Sequence, residues 1–180
     1  MAALLPLILA ILNAGVALAP ELVQEIQTLL QSLNPSSPMT ADQEAALYAI
    51  TQKVEAQVAA AGATNCTFVV GDAYDVAEFV TEPVDLVLIA NTFHGVPDKE
   101  RLARAVAAVL KPSGRLSVIN WHRRPREETV VLGQARGPKT EIRMEPGDVV
   151  AAIEPAGLKL ARVADLPPYH YNAIFEKPTA

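Results

Sequence analysis

The stretch from Val84 to His122, VDLVLIANTFHGVPDKERLARAVAAVLKPSGRLSVINWH, constrains the fold more than any other part of the chain. Residues 84–90 and 115–121 are nearly continuous apolar runs, which parallel strands buried on both faces require. Between them Leu102, Val106, Val109 and Leu110 recur at helical spacing. Asp98 suits the cap at the start of that helix, and Lys111-Pro112-Ser113-Gly114 closes it. The result is a βαβ unit, whose crossover is expected to be right-handed. Parallel strands of this kind normally belong to a nucleotide-binding sheet with a glycine-rich loop upstream. Here Gly15 is the only glycine before Gly62.

What surrounds the unit is bounded by composition. A chain of 180 residues with 51% hydrophobic and 19% charged residues is expected to fold around a well-filled core. Its net charge of -5 argues against a nucleic-acid partner, which would call for clustered excess Lys and Arg. The only cysteine, Cys66, excludes an intrachain disulfide and points to a reducing, cytoplasmic setting. Flanked by Thr67, Phe68, Val69 and Val70, it is expected to be a buried structural thiol.

The first 61 residues read as three helices and no strand. Met1 to Ala19 is apolar but lacks a basic start, and Pro6, Asn13 and Gly15 interrupt it, so neither a cleaved signal nor a membrane span is expected. From Pro20, Leu22, Val23, Ile26, Leu29, Leu30 and Leu33 mark an amphipathic helix. Asn34-Pro35-Ser36-Ser37-Pro38 breaks it. Thr40 then opens a capping box with Gln43, and Leu47, Ile50, Val54 and Val58 line one face up to Gly62. No Lys or Arg precedes Lys53, whereas Glu21, Glu25, Asp42 and Glu44 do, which sets this segment apart in charge. Its leucine-rich opening, "APELV" and "TADQEAAL" resemble small phage-type helical proteins, and no function follows from that.

After Gly62 the pattern changes. Residues 66–70 form a short apolar run ending at Gly71-Asp72-Ala73, residues 145–156 a helix stopped by Gly157, and residues 158–165 and 170–176 two strands joined by a short antiparallel turn. In an open parallel sheet, ligands bind beyond the carboxyl ends of the strands. Those ends carry Gly71-Asp72-Ala73, Asn91-Thr92-Phe93-His94 and Trp121-His122, and the last turn brings Tyr169-His170 to the same edge. His94, His122 and His170 are thus the candidate bases. Three imidazoles on one rim also suit a metal, but the short ligand spacings of zinc motifs are lacking and no metal ligand is assigned. Arg123, Arg124 and Arg126 either bind an acidic substrate or form a solvated loop.

"VVGDAYD", "VDLVLIANTFHGVPD", "LKPSGRLSVINWH", "EPAGLKL" and "PPYHYNAIFEK" together resemble the carboxyl-terminal half of class I S-adenosylmethionine-dependent methyltransferases, over about residues 62–177. Ser113 departs from the family where a first glycine is frequent, and Gly95 where a second histidine is common. The resemblance implies that Asp72, with Gly71 and Ala73, meets the adenine. It also implies that Asn91, Thr92 and Phe93 line the methionine and adenine side of S-adenosylmethionine. Trp121, Phe93 and Tyr169 offer π-faces to the sulfonium or to a flat substrate. The family's glycine-rich loop and ribose-binding acid have no counterpart in this sequence.

The expectation is therefore an α/β protein: an all-helical segment over residues 1–61 and, over 62–180, an incomplete Rossmann-like methyltransferase sheet of about five strands, the last one antiparallel. Thr67–Val70 is expected to pair directly with Val84–Ala90, because a buried unpaired strand would leave its backbone groups unsatisfied. Function is expected to be methyltransferase-like on an unknown substrate, for which a small molecule is one candidate, with donor binding weak or lost. The alternative is a non-catalytic interaction or scaffold protein. No membrane or nucleic-acid partner is expected, and self-association or a partner chain would work through the leader helices.

Overall fold

The computed structural model describes residues 19–33, 39–63, 66–131 and 133–179. The helix expected over the first 18 residues lies outside them. The chain divides into two compact units, one reaching to Asp72 and the other starting at Ala73.

The first unit is a pair of helices, α1 (Pro20–Ser32) and α2 (Ala41–Ala60). The capping box forms as its residues dictate. The Thr40 hydroxyl accepts from the Gln43 amide at 3.3 Å, and the Gln43 side chain accepts from the Thr40 amide at 2.9 Å. Leu22, Ile26 and Leu29 of α1 bury against Leu47, Ile50, Val54 and Val58 of α2. On the outside, Lys53 and Glu25 pair at 2.6 Å.

Two expectations fail in this unit. Residues 66–70 are not a strand and pair with nothing in the sheet. Phe68 and Val70 alternate inward and pack on the helix pair, so the run is half-buried on one side and needs no strand on either flank. Cys66 is exposed as well: the inward alternation begins only at Phe68, and Cys66 and Thr67 before it both face outward.

The second unit is built on a four-stranded sheet, not one of five. Its strands are β1 (Val84–Ala90), β2 (Leu110–Trp121), β5 (Lys159–Leu166) and β6 (His170–Glu176), in the order β1-β2-β6-β5. β1 and β2 are parallel, and β6 runs antiparallel to both β2 and β5. A two-stranded ribbon, β3 (Val130–Val131) with β4 (Gln134–Ala135), stands apart. Helices α3 (Val76–Phe79), α4 (Lys99–Val109) and α5 (Pro146–Ile153) complete the unit. One side of the sheet carries Leu116, Val118, Ala173 and Phe175, which form a core with Leu102 and Val106 of α4 and Val149 and Ile153 of α5.

The βα unit is capped as its sequence implies: the Asp98 carboxylate accepts from the Arg101 amide at 2.9 Å. At its far end Ser113 holds φ 60, the left-handed conformation that glycine adopts at least cost. Gly114 beside it is required for space, since a Cβ would meet the Lys111 carbonyl oxygen at 2.8 Å. Among the described residues no helix is long and apolar enough to cross a membrane.

Candidate functional site at the carboxyl rim

β1 ends in a sharp change of direction. Asn91 takes φ 58, a left-handed conformation that asparagine tolerates better than most residues. Its amide still donates to the Ile119 carbonyl at 2.7 Å, so the chain leaves the sheet in register with β2. Thr92 accepts from the Gly95 amide and is followed by a short 3-10 turn, Phe93–Gly95. Phe93 has no exposed surface and belongs to the hydrophobic core, so its ring is held by packing.

Strand alternation then sorts the rim into two sides. Asn120 shares the parity of Leu116 and Val118 and therefore lies on the helix-covered side, opposite Tyr171 in register. Trp121 points to the other side, opposite His170. The rim does gather the three histidines that the sequence singles out, but in different settings.

His94 lies on the Asn120 side. Burial pushes its imidazole below the ordinary histidine value, the Asn120 amide beside it opposes that shift, and the charges of Lys99 and Arg143 add to it. His122 is engaged elsewhere: its Nε2 meets the Asp165 carboxylate at 3.2 Å, and its ring lies 5.1 Å from that of Tyr171. His170 packs 4.1 Å from the Trp121 ring, and burial lowers its pKa, helped by His122 and Arg143. Tyr171 donates to the Met144 carbonyl at 2.8 Å, and burial pushes its hydroxyl up to about 12.

The segment between β2 and α5 is organised around Arg143, a residue 1% exposed. Its guanidinium donates to the carbonyls of Pro138, Arg124 and Arg136 and to the Thr129 hydroxyl, at 2.9–3.1 Å. It also lies 5.3 Å over the Trp121 ring. Arg123 is held by Asp148 at 2.7 Å and by the Arg143 carbonyl, and Arg126 donates to Gly137. Of the three arginines after His122, Arg124 is exposed and its side chain makes no hydrogen bond or ion pair among the described residues. Tyr169 stacks 6.0 Å from Trp121 and donates to the Val130 carbonyl.

A second group of buried polar atoms is unlike the first. Asn91 Oδ1, Thr92 Oγ1, both amide atoms of Asn120 and His170 Nε2 are buried with no hydrogen bond of good geometry among the described residues, although the Asn120 amide lies close enough to His94 and Tyr171 to shift both. An uncompensated buried polar group costs about 1–3 kcal/mol, and native proteins keep few of them. Asn91 and Asn120 are neighbours across the parallel ladder, since the Asn91 amide bonds to the residue before Asn120. The carboxyl ends of β1 and β2 therefore hold acceptors and a donor that fit a polar ligand. Sequence reasoning picked out Asn91 and Thr92 and passed over Asn120. A polar residue at a core-facing position, two residues after Val118 in an apolar run, was the available signal.

The remaining sequence candidates lie elsewhere. Gly71 and Asp72 belong to the first compact unit, and Ala73 to the second, where it packs against the core. Among the described residues no group of three or more His, Cys, Asp or Glu side chains is placed to hold a metal.

The family model of methyltransferase domains matches residues 20–118. That match takes in α1 and α2, which the sequence reading sets apart from the family-like part. None of the curated proteins matches the chain. Among solved structures, a SAM-dependent methyltransferase from Aquifex aeolicus is similar with a TM-score of 0.58 and 20% identity, over 71% of this chain and 63% of that one. A putative type 11 methyltransferase from Sulfolobus solfataricus gives 0.52 and 22%, over 76% and 67%. The cyclase SpnF gives 0.56 and 13%, over 73% and 63%. The chain thus spans about two thirds of the length of these proteins. The matched family domain and the shared fold agree: the chain belongs to the methyltransferase-domain family, with a class I S-adenosylmethionine-dependent methyltransferase fold.

Proposed function

We propose that the chain is a methyltransferase-like protein whose rim at β1 and β2 still receives S-adenosylmethionine, weakly. The observation that carries this reading is the set of buried, unpartnered polar atoms on Asn91, Thr92 and Asn120. They lie where an open α/β sheet binds its ligands. Asn91 and Thr92 supply acceptors to the donor's methionine and adenine side. The parts of Gly71, Asp72 and Ala73 at the adenine rest on family resemblance. Phe93, fixed in the core, contributes by holding the turn that carries Thr92 and His94 in place. When bound, the cofactor supplies an electrophilic methyl group on a sulfonium.

His94 is the base this rim favours. Burial keeps its imidazole neutral at pH 7, able to take a proton from an acceptor hydroxyl or amine. His122 is occupied by Asp165, and His170 lies on the opposite side of the sheet from Asn120. The acceptor is a small molecule in this reading, and the setting a reducing cytoplasm, as the single cysteine suggests.

Weak binding follows from the sequence. The glycine-rich loop that holds the methionine end in the family has no counterpart before Gly62, where Gly15 is the only glycine. That same feature favours the second reading, a non-catalytic interaction or scaffold protein. Titration calorimetry with S-adenosylmethionine distinguishes the two. Heat of binding that Asn91→Ala and Asp72→Ala each abolish supports the donor site; no heat at millimolar ligand removes it and leaves the scaffold.

A further inference from the structure

The sheet has two outer strands, and they are built differently. β5 carries Lys159, Arg162 and Asp165, and its register against β6 slips between Leu160 and Arg162. Charges and irregularities of this kind keep a strand edge from pairing with another chain. β1 also slips in register, between Val84 and Leu86, but it carries fewer charges. Its one charge, Asp85, is held by Lys111 at 2.8 Å, and its other residues are Val84, Leu86, Val87, Leu88, Ile89 and Ala90. Among the described residues only β2 pairs with it.

The parallel ladder fixes which backbone groups remain. The Asn91 amide turns to β2, so by alternation those of Ile89 and Val87 do as well. The amides and carbonyls of Leu86, Leu88 and Ala90 therefore point away from the sheet. The side chains of Leu86 and Leu88 share one side and are 58% and 55% exposed, although both are leucines in a strand.

We infer that β1 is a self-association edge, through which two copies of this chain pair antiparallel about a twofold axis at Val87. This register overlaps all seven residues of the strand, whereas a shift of two positions would pair only five. Leu86 of one copy then faces Leu88 of the other, twice, and the outward amides and carbonyls of both strands meet. Asp85 faces Ile89 of the second copy, so the two carboxylates are not opposed. A twofold contact needs a self-complementary strand, and a strand with one internally paired charge and leucines spaced evenly about its centre meets that need.

Light scattering coupled to size-exclusion chromatography on the full chain tests the contact. The expected mass is about twice 19.2 kDa for the native protein and single for Leu86→Lys/Leu88→Lys, with an unchanged circular dichroism spectrum for the variant. Cross-strand pairs of the kind formed by Val87 bring Cα atoms to about 4.5 Å, within disulfide reach. In a Cys66→Ser background, Val87→Cys is therefore expected to form an intermolecular disulfide under mild oxidation, and Arg162→Cys on the opposite edge to form none. A native chain that is monomeric at its highest soluble concentration overturns the inference. So does a dimer that survives the double lysine variant, which would place the contact elsewhere, the leader helices included. Neither result bears on donor binding, which the calorimetry measures independently.

Discussion

Arg143 and Asn120 are equally buried, both 1% exposed, and both belong to the carboxyl side of the same sheet. Their surroundings are opposite. Arg143 has four oxygen partners gathered from the segment it organises, whereas neither amide atom of Asn120 completes a hydrogen bond of good geometry among the described residues, although the amide lies beside the His94 and Tyr171 side chains. Burial of a polar group is thus no indicator of function by itself. A fully engaged group marks where the chain holds itself together, and an unengaged one marks where something else is to bind.

Replacing Arg143 should give the largest effect of any single change on this rim. Arg143→Met keeps the volume but leaves three carbonyls and a hydroxyl without their donor, which is expected to cost about 3–5 kcal/mol in urea unfolding. Arg143→Lys should recover only part of that, because an ammonium cannot reproduce the planar fork. Stability within about 1 kcal/mol of the native protein for Arg143→Met would remove the contrast with Asn120.

Gly137 probes the same region less severely. It holds φ 84, and a Cβ there would meet the Trp121 ring at 2.8 Å and the Arg143 guanidinium at 3.0 Å. Gly137→Ala combines backbone strain with displacement of that stack, an expected loss of about 1–3 kcal/mol. A shift in tryptophan fluorescence should accompany it, since Trp121 is the chain's only tryptophan.

How far the sequence reveals these two regions depends on how local their causes are. The βα unit, the capping box at Thr40 and the final antiparallel pair are legible because spacing and caps within one segment determine them. Thr67–Val70 misleads because a short apolar run is compatible with a strand buried on both sides or with an extended segment packed on one. Only the alternation of Phe68 and Val70 toward the helix pair decides between them, and that depends on residues far away in the chain. Arg143 gives no local signal at all, since its partners are backbone carbonyls of residues 124, 136 and 138. Asn91 and Thr92 are legible as a strand end; that their polar atoms are unengaged follows from what surrounds them in three dimensions.

On the other side of the comparison, Asn120→Leu should change stability in the opposite direction. An apolar side chain of similar volume removes two unpartnered amide atoms, so the ligand-free protein is expected to be unchanged or stabilised by up to about 2 kcal/mol. The same variant should lose the stabilisation that S-adenosylmethionine gives the native chain, measured as a shift in melting temperature. A destabilised Asn120→Leu would mean that the amide is engaged in the folded protein, and the assignment of this end of β2 to a ligand would fall with it.

The smallest effect expected is on pH dependence, and it separates the two sides of the rim by histidine. Burial holds both His94 and His170 below the ordinary histidine value in the folded chain. Between the unfolded value, about 6.5, and the lower folded value, the unfolded state binds more protons. The stability that each neutral imidazole contributes is therefore fully present above about pH 6.5 and is lost as pH falls through the folded value. Urea midpoints measured between neutral and mildly acidic pH should decline for the native chain. His94→Gln and His170→Gln should each flatten that decline. Asn120→Leu should steepen the His94 part alone, because it removes the one neighbour that favours the charged imidazole there. An unchanged slope in Asn120→Leu would show that His94 and Asn120 do not share a site, even if each separately faces a ligand.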